Sequence, residues 1–187
     1  MGKRLVVKGA DFSTNGIPYS IQFTPLLGVN VAGATTNGAT VATATRQFPL
    51  PSDALSLMAG KTIYGIRIYV YVAGTFGVSK IKGLTTDPTQ GDTIPGSVII
   101  TDVANLTASE TGVKDLFFDE PIVLGADEML GIKFNKSTGG ADGGLVKYGN
   151  GSSFPCKISI TDGSSTYNSV STSSSSYNWA FDFLVAE

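Results

Sequence analysis

Histidine is absent from this chain of 187 residues, and cysteine occurs once. Without histidine, neither a Ser-His-Asp nor a Cys-His catalytic unit can form, and zinc sites with histidine ligands are excluded. The single cysteine, Cys156, has no partner for an internal disulfide, and the alternating apolar residues around it favour a buried thiol. We therefore expect a protein without enzymatic activity, without a cofactor and without a resident metal.

Charge and long apolar runs are also scarce. Charged residues make up 15% of the chain, and the formal net charge is −2. Lysine and arginine are scattered, so the basic patch of a nucleic-acid-binding protein is missing. No apolar run approaches the roughly 20 residues that a membrane helix requires, and no apolar leader follows Met1. We expect no nucleic acid and no membrane as partners, and no Sec export signal.

What the sequence does contain is strand-like alternation. The clearest strand lies in residues 61–74. One of its faces carries Ile66, Ile68, Val70 and Val72, and the other carries Arg67, Tyr69 and Tyr71. Residues 75–82 are predicted to be its hairpin partner, and residues 52–61 to form a helical turn capped by Ser52. Around ten short strands separated by turn sequences predict an all-β, antiparallel, jelly-roll-like sandwich over residues 18–187.

The first 17 residues are predicted to be a short N-terminal arm. In RLVVKGADFSTNGI (residues 4–17), the consecutive apolar residues Leu5, Val6 and Val7 require cover on both faces of a strand. That cover comes either from the domain's own sheet, as an edge strand, or from another chain to which the arm adds. Phe12, in the turn that follows, is the candidate apolar anchor.

Three stretches of this sequence resemble known proteins. They are LVVKGADFSTNGI, GKTIYGIRIYVYVAGTFGVSKIKG and EPIVLGADEMLGIKF, and the similarity is strongest over residues 5–17 and 61–134. They resemble proteins of Bacteroidales bacteria and their phages, including jelly-roll virion surface proteins of crAss-like phages. The resemblance implies a non-enzymatic virion structural protein on the particle surface, such as a head fibre or a capsid decoration protein. It carries no catalytic or ligand-binding residues with it.

The resemblance also implies other virion proteins of the capsid or tail as partners. The low charge of the chain and the aromatic second face of the strand at 66–72 predict a homo-oligomer. A trimer is favoured by analogy with fibres. The residues predicted to make assembly contacts lie in the arm and on the Arg-Tyr face of the strand in 61–74. They are Leu5, Val6, Val7, Phe12, Arg67, Tyr69 and Tyr71.

Two other functions stay open. The alternative is a carbohydrate-binding receptor module of a tail fibre or bacterial surface protein, with a host surface glycan as ligand. The aromatic residues available for stacking on sugars are Tyr64, Tyr69, Tyr71, Tyr148, Tyr167, Tyr177 and Trp179. The third hypothesis is a glycan hydrolase that takes one acid from Asp119-Glu120 and one from Asp127-Glu128.

The turn from Asp87 to Asp92 offers oxygen ligands for calcium, although it also suits an ordinary turn.

We predict that residues 1–16 make intermolecular contacts and that the chain from about residue 18 folds without them. Deletion of residues 1–16 should give a folded chain that sediments as a monomer and is lost from particles. A truncated chain that fails to fold would show instead that this stretch belongs to the core sheet.

Overall fold

The computed structural model describes residues 21–33, 36–39, 44–134, 144–147, 156–170 and 181–187. The predicted arm residues Leu5, Val6, Val7 and Phe12 lie outside these ranges, so their contacts remain predictions.

Within the described ranges, twelve strands form two antiparallel sheets. The first sheet contains β1 (Phe23–Pro25), β2 (Thr36–Ala39), β4 (Thr62–Val72), β7 (Gly112–Val123), β9 (Gly144–Lys147) and β12 (Phe181–Ala186). Its order is β1-β12-β4-β9-β2, and β7 also pairs with β4. The second sheet contains β3 (Thr45–Pro49), β5 (Gly74–Lys82), β6 (Ile99–Ala108), β8 (Glu128–Phe134), β10 (Cys156–Thr161) and β11 (Ser169–Val170), in the order β11-β10-β3-β8-β5-β6. The predicted all-β sandwich is confirmed.

The predicted hairpin between residues 61–74 and 75–82 is wrong. The chain passes from β4 to β5 through the single residue Ala73, but this step crosses from the first sheet to the second. Four consecutive residues of β5, from Phe76 to Ser79, are buried, so both faces of this strand are covered. Its hydrogen-bonding neighbours are β6 and β8. The chain crosses again from β6 to β7 and from β7 to β8, as expected of a jelly-roll-like sandwich.

The alternation predicted for β4 is confirmed at the core. Ile66, Ile68 and Val70 are at most 1% exposed, and Val72, at the end of the strand, is half-buried. On the neighbouring strand, Phe183 lies opposite Ile66 and Phe181 lies opposite Ile68. Burial of each such side chain contributes roughly 1.5–3 kcal/mol, so this aliphatic and aromatic layer is a main source of stability.

The described part of the chain contains one α-helix, α1 (Pro51–Met58). Proline at its start suits the first turn, where the backbone N–H has no helical partner. The predicted cap is wrong, because Ser52 lies inside the helix and Leu50 precedes it as the cap residue. The Asp87 carboxylate accepts hydrogen bonds from the Ser52 backbone N–H at 2.9 Å and hydroxyl at 2.7 Å. No helix within the described ranges is long and apolar enough to cross a bilayer.

The outer face of the first sheet is partly covered by residues 26–33, which we call the strap. Its anchor is Asp182 of β12, whose side chain is fully buried. The carboxylate accepts hydrogen bonds from the Leu27 and Val29 backbone N–H groups, each at 2.8 Å, and from the Phe183 N–H at 2.6 Å. One buried carboxylate therefore satisfies two backbone donors of the strap and helps to hold the strap on the sheet.

We predict that Asp182→Ala lowers the free energy of unfolding by about 2–4 kcal/mol, because it leaves buried strap N–H groups without acceptors. Asp182→Asn keeps one acceptor oxygen and should cost less. The measurement is urea denaturation, together with hydrogen exchange at the Leu27 and Val29 amides.

The control matched to Asp182→Asn is Asp119→Asn, which makes the same chemical change at an exposed position of β7. Its free energy of unfolding should stay within about 0.5 kcal/mol of that of the parent. If Asp182→Ala is equally harmless, the strap does not depend on this carboxylate.

Candidate functional site

The three predicted contact residues of β4 form a row on the outer face of the first sheet, which we call the outer row. Arg67 and Tyr69 are half-buried, whereas Tyr71 is 49% exposed. On the adjacent strand β7, Asp115 lies opposite Arg67, and Val113, 41% exposed, lies opposite Tyr69. The row therefore passes from a charged, partly covered end to an apolar, exposed end.

The charged end is built around a two-pronged ion pair. The Arg67 Nε donates to Asp115 Oδ1 at 2.7 Å, and Nη2 donates to Oδ2 at 2.8 Å. Hydrogen bonds to Asp115 raise the pKa of Arg67 above its ordinary value, against the effect of burial. About a third of each side chain remains exposed, so water or a ligand can reach both groups.

A second carboxylate flanks Arg67 from the other edge of β4. Asp182 on β12 lies opposite Arg67 in the strand register, so Arg67 has a carboxylate residue opposite it on each neighbouring strand. Burial raises the pKa of Asp182, and the hydrogen bonds from the strap amides lower it in part. Because this acid is sealed under the strap, it holds the fold and does not reach solvent.

The strap and the outer row enclose a shallow cleft. Its volume is about 270 Å³. Its lining comes from the strap, from β4 and from β7, and consists of Val29, Asn30, Val31, Ala32, Arg67, Val113 and Asp115. Polar and apolar side chains thus meet in one small concave surface next to the outer row.

Several aromatic residues considered for sugar stacking are packed into the fold. The ring centroid of Tyr64 is 5.2 Å from that of Phe23, which lies 5.0 Å from that of Phe117. Tyr167 is only 1% exposed. Tyr148, Tyr177 and Trp179 lie outside the described residues. Of the described candidates, Tyr71 is the one with about half of its surface available.

The acids considered for hydrolysis have different environments. Asp119 and Glu120 are exposed on β7 of the first sheet, whereas Glu128 begins β8 of the second sheet. The Glu128 carboxylate accepts the Gly125 N–H at 2.8 Å and pairs with Lys80 at 2.9 Å. These bonds hold the pKa of Glu128 below its ordinary value. A general acid needs a raised pKa, so Glu128 is poorly suited to protonate a leaving group.

The two acids considered for calcium serve separate local contacts. Asp87 binds the start of α1 through Ser52, and Asp92 accepts the Thr89 N–H at 3.1 Å within its own turn. Within the described ranges, no three acidic or cysteine side chains gather as a metal site would require.

Sequence reasoning missed a charged network on the second sheet. The Asp102 carboxylate accepts hydrogen bonds from the Arg46 Nε at 3.0 Å, the Lys133 Nζ at 2.5 Å and the Ser79 hydroxyl at 2.7 Å. Asp162 also accepts a hydrogen bond from Arg46. Burial opposes the ionised form of Asp102, but the bonds from Arg46, Lys133 and Ser79 hold its pKa well below the usual range. The network ties β3, β5, β6 and β8 together.

Comparisons with known proteins give no family assignment. No family model matches the chain, and no curated protein or solved structure is significantly similar to it.

We predict that the network around Asp102 makes the fold sensitive to acid. The pKa of Asp102 is lower in the folded chain than its ordinary value of 3.8, so its contribution to stability is complete above that value and is lost as the pH falls below it. Asp102→Asn should lower the melting temperature by a few degrees at about pH 7, and the difference from the parent should shrink toward about pH 3.

Thermal unfolding across that pH range is the measurement, and Asp119→Asn controls for the loss of one surface charge. A gap between parent and Asp102→Asn that stays constant down to about pH 3 would contradict the prediction.

Proposed function

We propose that this chain is a non-enzymatic structural protein of a phage particle, a head-fibre or capsid-decoration component exposed on the surface. The phage assignment rests on the sequence stretches in residues 5–17 and 61–134 that resemble virion surface proteins. The β-sandwich is compatible with that role. A fold alone does not define a function, so the proposal needs support from a surface of this particular chain.

The observation that carries the proposal is the exposed end of the outer row. Tyr71 and Val113 are 49% and 41% exposed, while the strap of the same chain covers the other part of this face. Tyrosine and arginine are enriched where proteins associate, and exposed apolar residues on a sheet face favour a covering partner. We infer that a second copy of the chain covers Tyr71, with a trimer as the favoured assembly.

The environments of three described acids, Asp102, Glu128 and Asp182, support a non-enzymatic role. Asp182, whose pKa is raised by burial, is sealed from substrate under the strap. Asp102 and Glu128 are held ionised by cations and hydrogen-bond donors from neighbouring strands. Each of these carboxylates stabilises a specific part of the fold, which is the use expected in a structural protein.

We predict that the parent chain sediments as an oligomer at micromolar concentration and that Tyr71→Ser weakens this association by about tenfold or more, because it removes an aromatic contact. Leu57→Ser is the matched control, since Leu57 is 43% exposed but lies on α1, away from the outer row. Sedimentation velocity and equilibrium runs measure both effects.

A parent chain that is monomeric throughout, or a Leu57→Ser variant that dissociates as readily as Tyr71→Ser, would contradict self-association through this face. The location on the particle has its own test, which is mass spectrometry of purified virions that encode the chain. Absence of the protein from those virions would overturn the phage-structural proposal.

A further inference from the structure

The cleft beside the strap has a floor that offers a hydrogen-bond donor next to an acceptor. Arg67 uses one N–H of Nε and one of Nη2 for Asp115. A guanidinium carries five N–H groups, and each carboxylate oxygen has two lone pairs, so both partners retain hydrogen-bonding capacity beyond their mutual contact. Since about a third of each side chain is exposed, this capacity is accessible from the cleft.

Arg67 Nη2 and Asp115 Oδ2 lie 2.8 Å apart, and each keeps capacity beyond their mutual bond, so the two atoms can serve two neighbouring hydroxyl groups. One hydroxyl oxygen can accept from the Arg67 guanidinium, and the other hydroxyl can donate to the Asp115 carboxylate. The Asn30 side chain, in the strap, also lines the cleft, and its Oδ1 accepts the Gly33 N–H at 3.1 Å. Such a floor suits a polyol.

The charges near the cleft argue against an anionic ligand. Arg67 is the cation in the lining, and it is already bonded to Asp115. The other charged group that faces Arg67 is Asp182, which lies opposite it on β12. Two acids and one base give no excess positive charge, so a phosphate, sulfate or uronate would find no free counter-charge.

The walls and the size of the cleft further restrict the class of ligand that it can bind. The exposed apolar surface comes mainly from Val113, because Val29 and Val31 are buried in the core, and this surface suits the C–H face of a sugar ring. A volume of about 270 Å³ lies just below the range of roughly 300–1,000 Å³ for small-molecule sites, so the cleft has room for no more than one ring of a longer chain. Tyr69, which lies opposite Val113 across the strands, extends the surface toward Tyr71.

We propose that the cleft formed by the strap, Arg67 and Asp115 is a binding subsite for one neutral ring of a saccharide. This site goes beyond the structural role and does not depend on it. Arg67 and Tyr71 are four residues apart on one strand, about 13 Å, so a subunit contact centred on Tyr71 leaves Arg67 and Asp115 accessible, and Val113 borders both surfaces.

The experiment is a titration of the ¹⁵N-labelled full chain with methyl glycosides of glucose, galactose, mannose and fucose, followed by amide chemical shifts. At least one of these probes should shift the amides of Asn30, Ala32, Val113 and Asp115 with millimolar affinity. Glucuronate, the anionic probe, should bind more weakly than the neutral glycosides.

Three variants locate the site. Arg67→Lys keeps the charge but loses the fork geometry, and it should weaken binding by about tenfold. Ala32→Trp should block the exposed mouth of the cleft without removing any of the bonds between Arg67 and Asp115. Asp119→Asn, elsewhere on β7, should leave binding unchanged. Ala32→Trp keeps the test valid if Arg67→Lys lowers stability.

Shifts that map elsewhere, no shifts with any glycoside, stronger binding of glucuronate, or full binding by Ala32→Trp would each overturn the proposal. Self-association through Tyr71 and saccharide binding in the cleft can be tested independently of each other. Tyr71→Ser should lose association and keep the glycoside shifts, whereas Ala32→Trp should keep association and lose the shifts.

Discussion

The outer face of the first sheet depends on a single buried carboxylate. Asp182 is surrounded by backbone N–H groups of Leu27, Val29 and Phe183, and these bonds offset the cost of burying its charge. Without this carboxylate, the Leu27 and Val29 N–H groups would lose their acceptor, and the strap would be held by the burial of Val29 and Val31 and by the Leu26 N–H, which donates to the Phe183 carbonyl. Because the strap is also one wall of the cleft, the same carboxylate positions Asn30 and Val31 above the outer row.

The second sheet uses charge in a similar way but at the surface. Asp102 draws together Arg46, Lys133 and Ser79, which belong to three different strands. In a chain with only 15% charged residues, these ionic contacts connect strands that are distant in sequence. These ionic contacts are strongest when the carboxyl groups are ionised. A general acid catalyst, in contrast, must hold its proton until it transfers it to the substrate.

Both functions proposed for this chain use the outer face of the first sheet. The outer row combines a half-covered ion pair at Arg67 with an exposed aromatic at Tyr71. The two ends of the row suit different partners. An exposed aromatic residue suits contact with another protein surface, whereas paired hydrogen-bond donors and acceptors suit a polyol.

The sequence by itself determined the fold class and the core face of β4, because apolar residues at every second position, such as Ile66, Ile68 and Val70, indicate a strand with one buried face. It also placed Arg67, Tyr69 and Tyr71 on one face. It did not reveal that β4 and β5 belong to different sheets, that Asp87 caps α1, or that Asp182 holds the strap. Leu27 and Asp182 are separated by 155 positions, and Ser52 and Asp87 by 35. Only the tertiary structure decides such pairings, since one carboxylate looks like another in sequence until packing determines which donors surround it.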